Sequence, residues 1–564
     1  MSQKKVFVRD ATGLVREAGL IDILQFNAQS VTGVAAVSGG LLLLPLMTSD
    51  IGISGSIILG LLTALFVNFT YYILSVTIPR SGGDYVYISR LLHPSLGVLA
   101  AGLAGIFSPI ILASTFGASV WVTAGLSPLL QAIGQNTLAS AVTTPTSLTI
   151  AGLLSTVFFA ALLIFGGNKA FFRLNNVLYA IAMVGLLLGG ALFLMVGHDA
   201  FVKLFDAYAS SYGTSSSDII STAASNGLTF PGADAKSVTI ASALMFATFY
   251  WCTQSTYLGG EIKHIRKTQF WGMIGAAILW GAITLFAIVA AYYTVGPQLI
   301  TSADYLNYLQ PQLWKIPISS FFALYSNVAA QNPAVGVFIS LGFLFGYLTA
   351  TGWSFVIFSR VVFAMSFDRF FPTKLADINE KYHSPVNAII FVAALTAVFL
   401  ILLTNSQAAV ILYTWGVGLN VVMMLTFMMA SIALTILPFK HKSMFEVACP
   451  FKQKIAGFPL VSVIGIISTL LLLLYEYLEL TNPTFFGITP FVLETMVAAI
   501  VFFIALYFVV TAYRKSRGID LSMVYKEIPP EQTSTPNHSA TPTVEAEGDG
   551  CESLRCSSPW GRRC

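Results

Sequence analysis

Charge is scarce in this chain. Asp, Glu, Lys and Arg make up 10% of its 564 residues, against 56% for the hydrophobic types. An ordinary soluble domain carries about 25% charged residues, so these few could not cover a soluble surface of this size. The same composition excludes an intrinsically disordered chain, a collagen, a coiled coil and a disulfide-rich secreted scaffold. Cysteine is scarce too. Cys252, Cys449, Cys551, Cys556 and Cys564 show no spacing typical of a zinc or haem site and imply no disulfide framework. Catalytic patterns are missing: there is no Ser/His/Asp set, HExxH, Gly-rich phosphate loop or Cys/His cluster. His93, His198, His264, His383, His441 and His538 all fall in loops or the tail. What remains is a polytopic membrane protein with no residue constellation behind an enzyme reading.

A helix needs about 20 apolar residues to cross a bilayer. Runs of that length predict twelve spans, near 25–48, 54–77, 96–126, 146–166, 174–197, 237–260, 271–295, 334–359, 386–404, 409–437, 459–478 and 490–512. The third is longer than a bilayer needs, which implies tilt or extension beyond it. The polar start does not read as a cleavable signal. With the N-terminus inside, alternation puts 26 of the 29 Lys and Arg residues on the inner side, leaving Lys203, Lys236 and Lys315 outside. Inner loops are the basic ones, and a missed or extra span would spoil this count. Both termini are therefore expected in the cytoplasm and the protein in the cell (plasma) membrane.

The expected organisation is a cytoplasmic segment 1–24, helices one to five over 25–197 and an outer loop 198–236. Helices six to ten follow over 237–437, with an outer segment 296–333. A cytoplasmic loop 438–458, helices eleven and twelve over 459–512 and a disordered tail 513–564 complete it. The stretch around Tyr305–Tyr325 is amphipathic and reads either as short helices covering an entrance or as a plain loop. Residues 551–564 (CESLRCSSPWGRRC) change composition abruptly, without a physical account.

The centres of the spans contain no Lys, Arg, His or Asp. Glu476 and Glu494 sit near the outer ends of the last two, where snorkelling, a local pair and an ion path are all open readings. A charge-free centre argues against a carboxylate stripe for polycations and an arginine clamp for anions. A pocket there must use backbone dipoles, hydroxyls and aromatic rings, which suits a small zwitterion or neutral molecule. The first span carries Ser38, Gly39 and Gly40 midway and Pro45 later. These serve either close helix packing or an unwound helix with free N–H and C=O groups.

Four segments resemble the amino acid–polyamine–organocation permease superfamily, in its order. They are Ser38-Gly39-Gly40 with Leu44-Pro45, Pro79-Arg80-Ser81-Gly82-Gly83-Asp84-Tyr85, Glu261-Ile262-Lys263, and Ser359-Arg360 through Asp368 and Pro372 with Pro385. The second, close to the family's P-x-S-G-G-x-Y, is the most specific. The resemblance covers roughly 20–512 and implies an all-α membrane protein with a LeuT-like five-plus-five inverted repeat. Helices one and six would be discontinuous with the substrate between them, and helices eleven and twelve peripheral. Two departures matter. The family's first break opens on glycine, here Ser38, and its sixth helix often breaks at glycine, here Phe246–Thr253 without one.

The resemblance also implies a site. The substrate carboxylate would rest on N–H groups at Ser38, Gly39 and Gly40, and its ammonium on carbonyls of Phe249, Tyr250 and Trp251. Thr248 and Trp353 would shape the pocket. Some relatives carry a fifth-helix lysine six residues after an Asn-Asn pair. Asn175-Asn176 is present, but the matching position is Ala182. A sodium ion could fill that space, held by carbonyls of Val34 and Val37 and by Thr351 and Ser354, whose spacing lets both hydroxyls face one point. Those hydroxyls could equally bond back to their own helix. The expected function is secondary transport of amino acids, neutral ones on the charge-free core, by alternating access. Coupling would be to sodium or a proton, or absent in an exchanger; no other cofactor and no nucleic acid are implied. The partners would be a small-molecule amino acid and the lipid bilayer. The alternative is a transporter-fold sensor that binds amino acids without net flux.

Overall fold

The structure is a computed structural model that describes residues 14–30, 33–115, 120–319, 321–379, 381–382, 384–402 and 406–526. Most of the tail, including 551–564, and His383 lie outside them. The chain begins with α1 (Leu20–Ser30), α2 (Gly33–Met47), α3 (Ile51–Thr77), α4 (Asp84–Leu91) and α5 (Pro94–Ser114). Next come α6 (Pro145–Val196), α7 (His198–Ser210), α8 (Ser216–Ser225) and α9 (Ala235–Phe249). They are followed by α10 (Ile265–Val295), α11 (Pro297–Asp304), α12 (Phe322–Ala330) and α13 (Pro333–Phe367). The last are α14 (Val386–Leu402), α15 (Ser406–Lys440), α16 (Leu460–Thr481), α17 (Pro490–Ser516) and α18 (Leu521–Val524). A two-stranded hairpin, Lys454–Ile455 against Phe458–Pro459, precedes α16.

Among the described residues eight helices are long and apolar enough to cross a membrane: α3, α5, α6, α10, α13, α16, α17 and the Gly418–Lys440 part of α15. Ala36–Met47 of α2 and all of α14 are shorter apolar helices. Their apolar residues lie all round each helix, as they must where one side meets protein and the other lipid. In α10, for example, Ala276, Ala277 and Trp280 are buried while Ile278 and Leu279 are exposed. The outermost is α17, with Val501, Phe502, Phe508 and Val509 exposed.

The 52-residue α6 is two helical arms joined at Gly167, where φ is 63°. A Cβ at Gly167 would lie 2.7 Å from the Tyr382 carbonyl oxygen, so both the backbone angle and the close approach require glycine.

Two segments expected on the outer side are more ordered than their composition implies. Region 198–236 reads as a Ser/Thr/Gly-rich loop, yet it forms α7 and α8. Phe201, Phe205 and Ala209 recur every four residues and are fully buried, and the two rings pack at 6.2 and 6.3 Å from Tyr325 of α12. The surrounding serines hide that short periodicity. In 296–333 the chain forms α11 and α12, with short helical segments over Tyr305–Leu309 and Pro311–Leu313 between them, so short helices replace the plain-loop alternative.

The first span does not break at Ser38–Gly40. Ser38, Gly39 and Gly40 lie inside α2, and the gap between α1 and α2, residues 31–32, is outside the described residues. Gly40 faces the Met245 and Ile288 side chains and serves close packing, whereas a Cβ at Gly39 would meet nothing within 4 Å.

Candidate functional site

The centre of the bundle is built around the end of α9. Asp234 caps its start by accepting hydrogen bonds from Lys236 N at 2.8 Å and Ser237 N at 3.0 Å. Beyond Phe249 the α-geometry tightens, and Tyr250–Tyr257 continues as a 3-10 helix. Runs this long are uncommon in that geometry because its hydrogen bonds are poorer. Two fully buried asparagines hold it. Asn68 of α3 donates to the Phe249 carbonyl at 3.2 Å. Asn27 of α1 accepts from Ser255 N at 2.7 Å and donates to Ser255 Oγ at 2.9 Å and to the Gly272 carbonyl at 2.7 Å. Sequence reasoning picked out the aromatic segment and missed these asparagines, whose signal was an amide inside an apolar run.

Phe249 and Tyr250 are fully buried. Tyr250 donates to Asn420 Oδ1 at 3.2 Å and meets Phe427 edge-on at 4.6 Å. Trp251 stacks behind it at 6.1 Å. Trp251 also faces Trp353 of α13 with ring centroids 6.0 Å apart, and Trp353 faces Phe26 of α1 at 6.3 Å. The two tryptophans, chosen separately from the sequence, are thus neighbours. Trp353 Nε1 is buried without a hydrogen-bond partner. Thr248 is differently placed: its hydroxyl donates to the Leu244 carbonyl at 2.8 Å.

Val34 packs on Gly346 of α13, and Ala182 of α6 lies against the same glycine. The fifth-helix position singled out in the sequence therefore does face α2 and α13, and brings no charge. One turn further along α13, Thr351 and Ser354 are fully buried and their hydroxyls have no partner, so they do not bond back to their own helix. Ser38 Oγ, with the Tyr347 phenol beside it, and both amide atoms of Asn175 are also buried without a hydrogen bond in range. The carbonyl half of the expected cation site fares less well. Val34 and Val37 sit within α2, where carbonyls point along the axis to amides four residues on. The N–H groups without a partner inside the helix are those of its first turn, from Gly33. Of the acids, Glu494 is exposed and Glu476 partly buried. Glu479, which sequence reasoning passed over, is fully buried on α16.

At the basic end of the bundle, three of the four motifs form one latch. Arg360 Nε and Nη2 each lie 3.1 Å from a different carboxylate oxygen of Glu261. Asn168 donates to the same carboxylate, and Ser81 Oγ does so at 3.3 Å. The Glu261 carbonyl accepts from Glu17 N at 2.9 Å and Ala18 N at 3.0 Å, so the N-terminal segment is part of the assembly. Arg90 binds Asp368 at 2.5 Å, and Tyr85 donates to that carboxylate at 2.8 Å. Tyr525, after α18, lies 3.3 Å from the Tyr85 hydroxyl. Asp84 accepts from Tyr71 at 2.5 Å and from Tyr257, at the end of the 3-10 segment, at 2.6 Å. Gly83 has φ 50°, and a Cβ there would meet the Tyr257 ring at 2.8 Å, which is why Gly-Gly precedes the aspartate.

Long apolar helices around a buried aromatic centre, with a charged latch at one end, are those of a polytopic membrane protein. The sequence signature of the amino acid permeases matches residues 23–511, and the chain belongs to that family. A protein of Sulfolobus islandicus rod-shaped virus 1, named uncharacterized protein 399, is 22% identical over 382 residues, 66% of this chain and 70% of that protein. Membership of that family supports a membrane amino acid transporter.

Proposed function

We propose that this permease carries neutral amino acids across the cell membrane by alternating access. The observation that carries the reading is the Trp251–Trp353 pair beside the switch from α9 to 3-10 geometry, among amides, hydroxyls and rings, with Glu476 and Glu479 of α16 on the Tyr250 side. A zwitterion's two charges need partners, and helix ends supply them without a charged side chain. The substrate carboxylate is assigned to the free N–H groups opening α2, a turn before Ser38, Gly39 and Gly40. Its ammonium is assigned to carbonyls at Phe249, Tyr250 and Trp251. Trp353 and Trp251 wall the pocket and close it toward the basic end, with Thr248 at its edge. Twelve spans, a five-plus-five inverted repeat and cytoplasmic termini complete the proposal.

For coupling, a sodium ion at Thr351 and Ser354 is favoured by their unpartnered hydroxyls. It would take the Val34 and Val37 carbonyls as well only if the start of α2 unwound. The test is uptake of labelled amino acids into proteoliposomes, with unlabelled competitors and with or without an inward sodium gradient. Leucine-like competitors are expected to displace the label. Displacement best achieved by arginine or glutamate would overturn the substrate class. Binding without flux would overturn transport itself.

A further inference from the structure

Asp84 differs from every other acid in the latch. Glu261 faces Arg360, and Asp368 faces Arg90. Asp84 is fully buried, and its side-chain partners are two neutral phenols, Tyr71 of α3 and Tyr257 of the 3-10 segment. The titratable groups around it can be followed element by element. α3 presents Tyr71, the 3-10 segment presents Tyr257, and α4 itself presents Tyr87, whose hydroxyl is buried without a partner. Arg90 of α4 and Asp368 beyond α13 are paired with each other. Arg360 of α13 is paired with Glu261. Lys440 and His441, at the end of α15, bond to the Leu91 carbonyl at 3.4 and 3.2 Å. The Arg80 guanidinium donates to the Pro79 carbonyl at 3.0 Å. The α5 sequence has no titratable side chain. No cation in this set is paired with the Asp84 carboxylate.

A carboxylate removed from water without a cation favours its protonated form. Hydrogen bonds from phenols oppose this only in part. The site is also a joint. Tyr257 ends the segment that the substrate pocket begins, and Tyr71 belongs to the neighbouring span, so opening this end of the bundle separates the two phenols and admits water to Asp84.

We propose that Asp84 is a proton-binding site that links opening of the latch to pH: it holds a proton while the latch is closed and gives it to the adjoining solution when Tyr71 and Tyr257 part. The inference rests on the transporter reading for its functional consequence, though not for the proton site itself. Burial pushes the Asp84 carboxyl up to about 6, with both phenols pulling it back. Solvated in the open latch, it returns toward the ordinary aspartate range near 4. Each opening between those values therefore releases one proton, and acid holds the latch shut.

Two measurements on the full-length protein test this. The first is infrared difference spectroscopy of the purified protein, following the carbonyl stretch of protonated carboxyl groups between about pH 5 and pH 8. A band that titrates near pH 6 and is missing from Asp84→Asn is expected. Tyr257→Phe, which takes a donor from the ionised form, is expected to move the midpoint upward, and it decides the matter if Asp84→Asn does not fold. An unchanged band in Asp84→Asn, arising then from another carboxyl group, would overturn the proposal, as would a midpoint indifferent to Tyr257→Phe. The second is exchange of labelled neutral amino acid in proteoliposomes with the same pH on both sides. Exchange is expected to rise at least about threefold from pH 5 to pH 7, and the ratio to fall to about one in Asp84→Asn. A ratio that persists in the variant overturns the link. If the wild type moves no amino acid, the transporter reading fails while the infrared titration still decides the proton site.

Discussion

Arg360 grips Glu261 with two parallel hydrogen bonds of 3.1 Å each, joining residues 99 positions apart in the chain. Their side chains are 1% and 2% exposed. Bidentate geometry fixes orientation as well as distance, so the pair sets how α13 sits against the segment that follows α9. Removing one partner leaves the other charge buried alone, which costs about 3–5 kcal/mol. Arg360→Met and Glu261→Gln are each expected to lower the unfolding temperature in detergent sharply. The double variant Arg360→Met, Glu261→Met is expected to recover much of the loss. A double variant as unstable as the sum of the singles would count against the pairing.

Asp84 makes stability depend on pH with a definite sign. Burial raises its folded-state carboxyl to about 6 from the ordinary aspartate value of 3.8. In that window the folded state binds more protons than the unfolded one, so stability rises as pH falls through about 6 and levels off below about 4. The full effect is about 3 kcal/mol at most. Thermal unfolding from pH 7.5 to pH 5 should show the wild type gaining stability relative to Asp84→Asn. Parallel curves for the two proteins would refute the assignment.

Asn27 holds Ser255 and Gly272 with three hydrogen bonds, all buried. Asn27→Ala leaves the Ser255 amide unpaired and is expected to cost about 2–3 kcal/mol, since an orphaned buried donor bears its full desolvation penalty. Asn68→Ala removes the bond to Phe249 and is expected to cost about 1 kcal/mol. Unfolding temperatures rank the two, and Asn27→Ala no worse than Asn68→Ala would contradict the geometry.

The Trp251–Trp353 contact gives a kinetic prediction. An aromatic pair contributes about 0.5–1.5 kcal/mol beyond the area it buries. Trp353→Ala is expected to raise KM for amino acid uptake about three- to tenfold, the same energy expressed as affinity. Trp353→Phe keeps a ring at 353 and should lie between. Tryptophan emission quenched saturably by a transported amino acid, and less so in Trp353→Phe, would place the pair at the pocket.

Several residues were legible one by one and opaque as a set. The Pro79–Tyr85, Glu261–Lys263 and Ser359–Asp368 segments stand out by composition, yet nothing in their order along the chain says that they meet. Asn27 and Asn68 are single amides in apolar runs, and only the path of the 3-10 segment shows what they bind. The α7 pattern was short enough to vanish among serines. Ser38, Gly39 and Gly40 look like a helix break because glycine permits one. Packing against Met245 and Ile288 makes Gly40 useful inside a helix.

What the sequence determined by itself follows from solvent. So little charge and so many long apolar runs can persist only in a bilayer, where each backbone must satisfy its own hydrogen bonds as a helix. The lack of charge at the span centres is legible in the same way. Tertiary structure alone decided which side chains converge. Contacts between residues hundreds of positions apart depend on how helices cross, and crossing is set by the summed packing of many surfaces rather than by any local pattern. So it is the fold that pairs Glu261 with Arg360, sets Trp251 beside Trp353, and leaves Asp84 between two phenols without a cation.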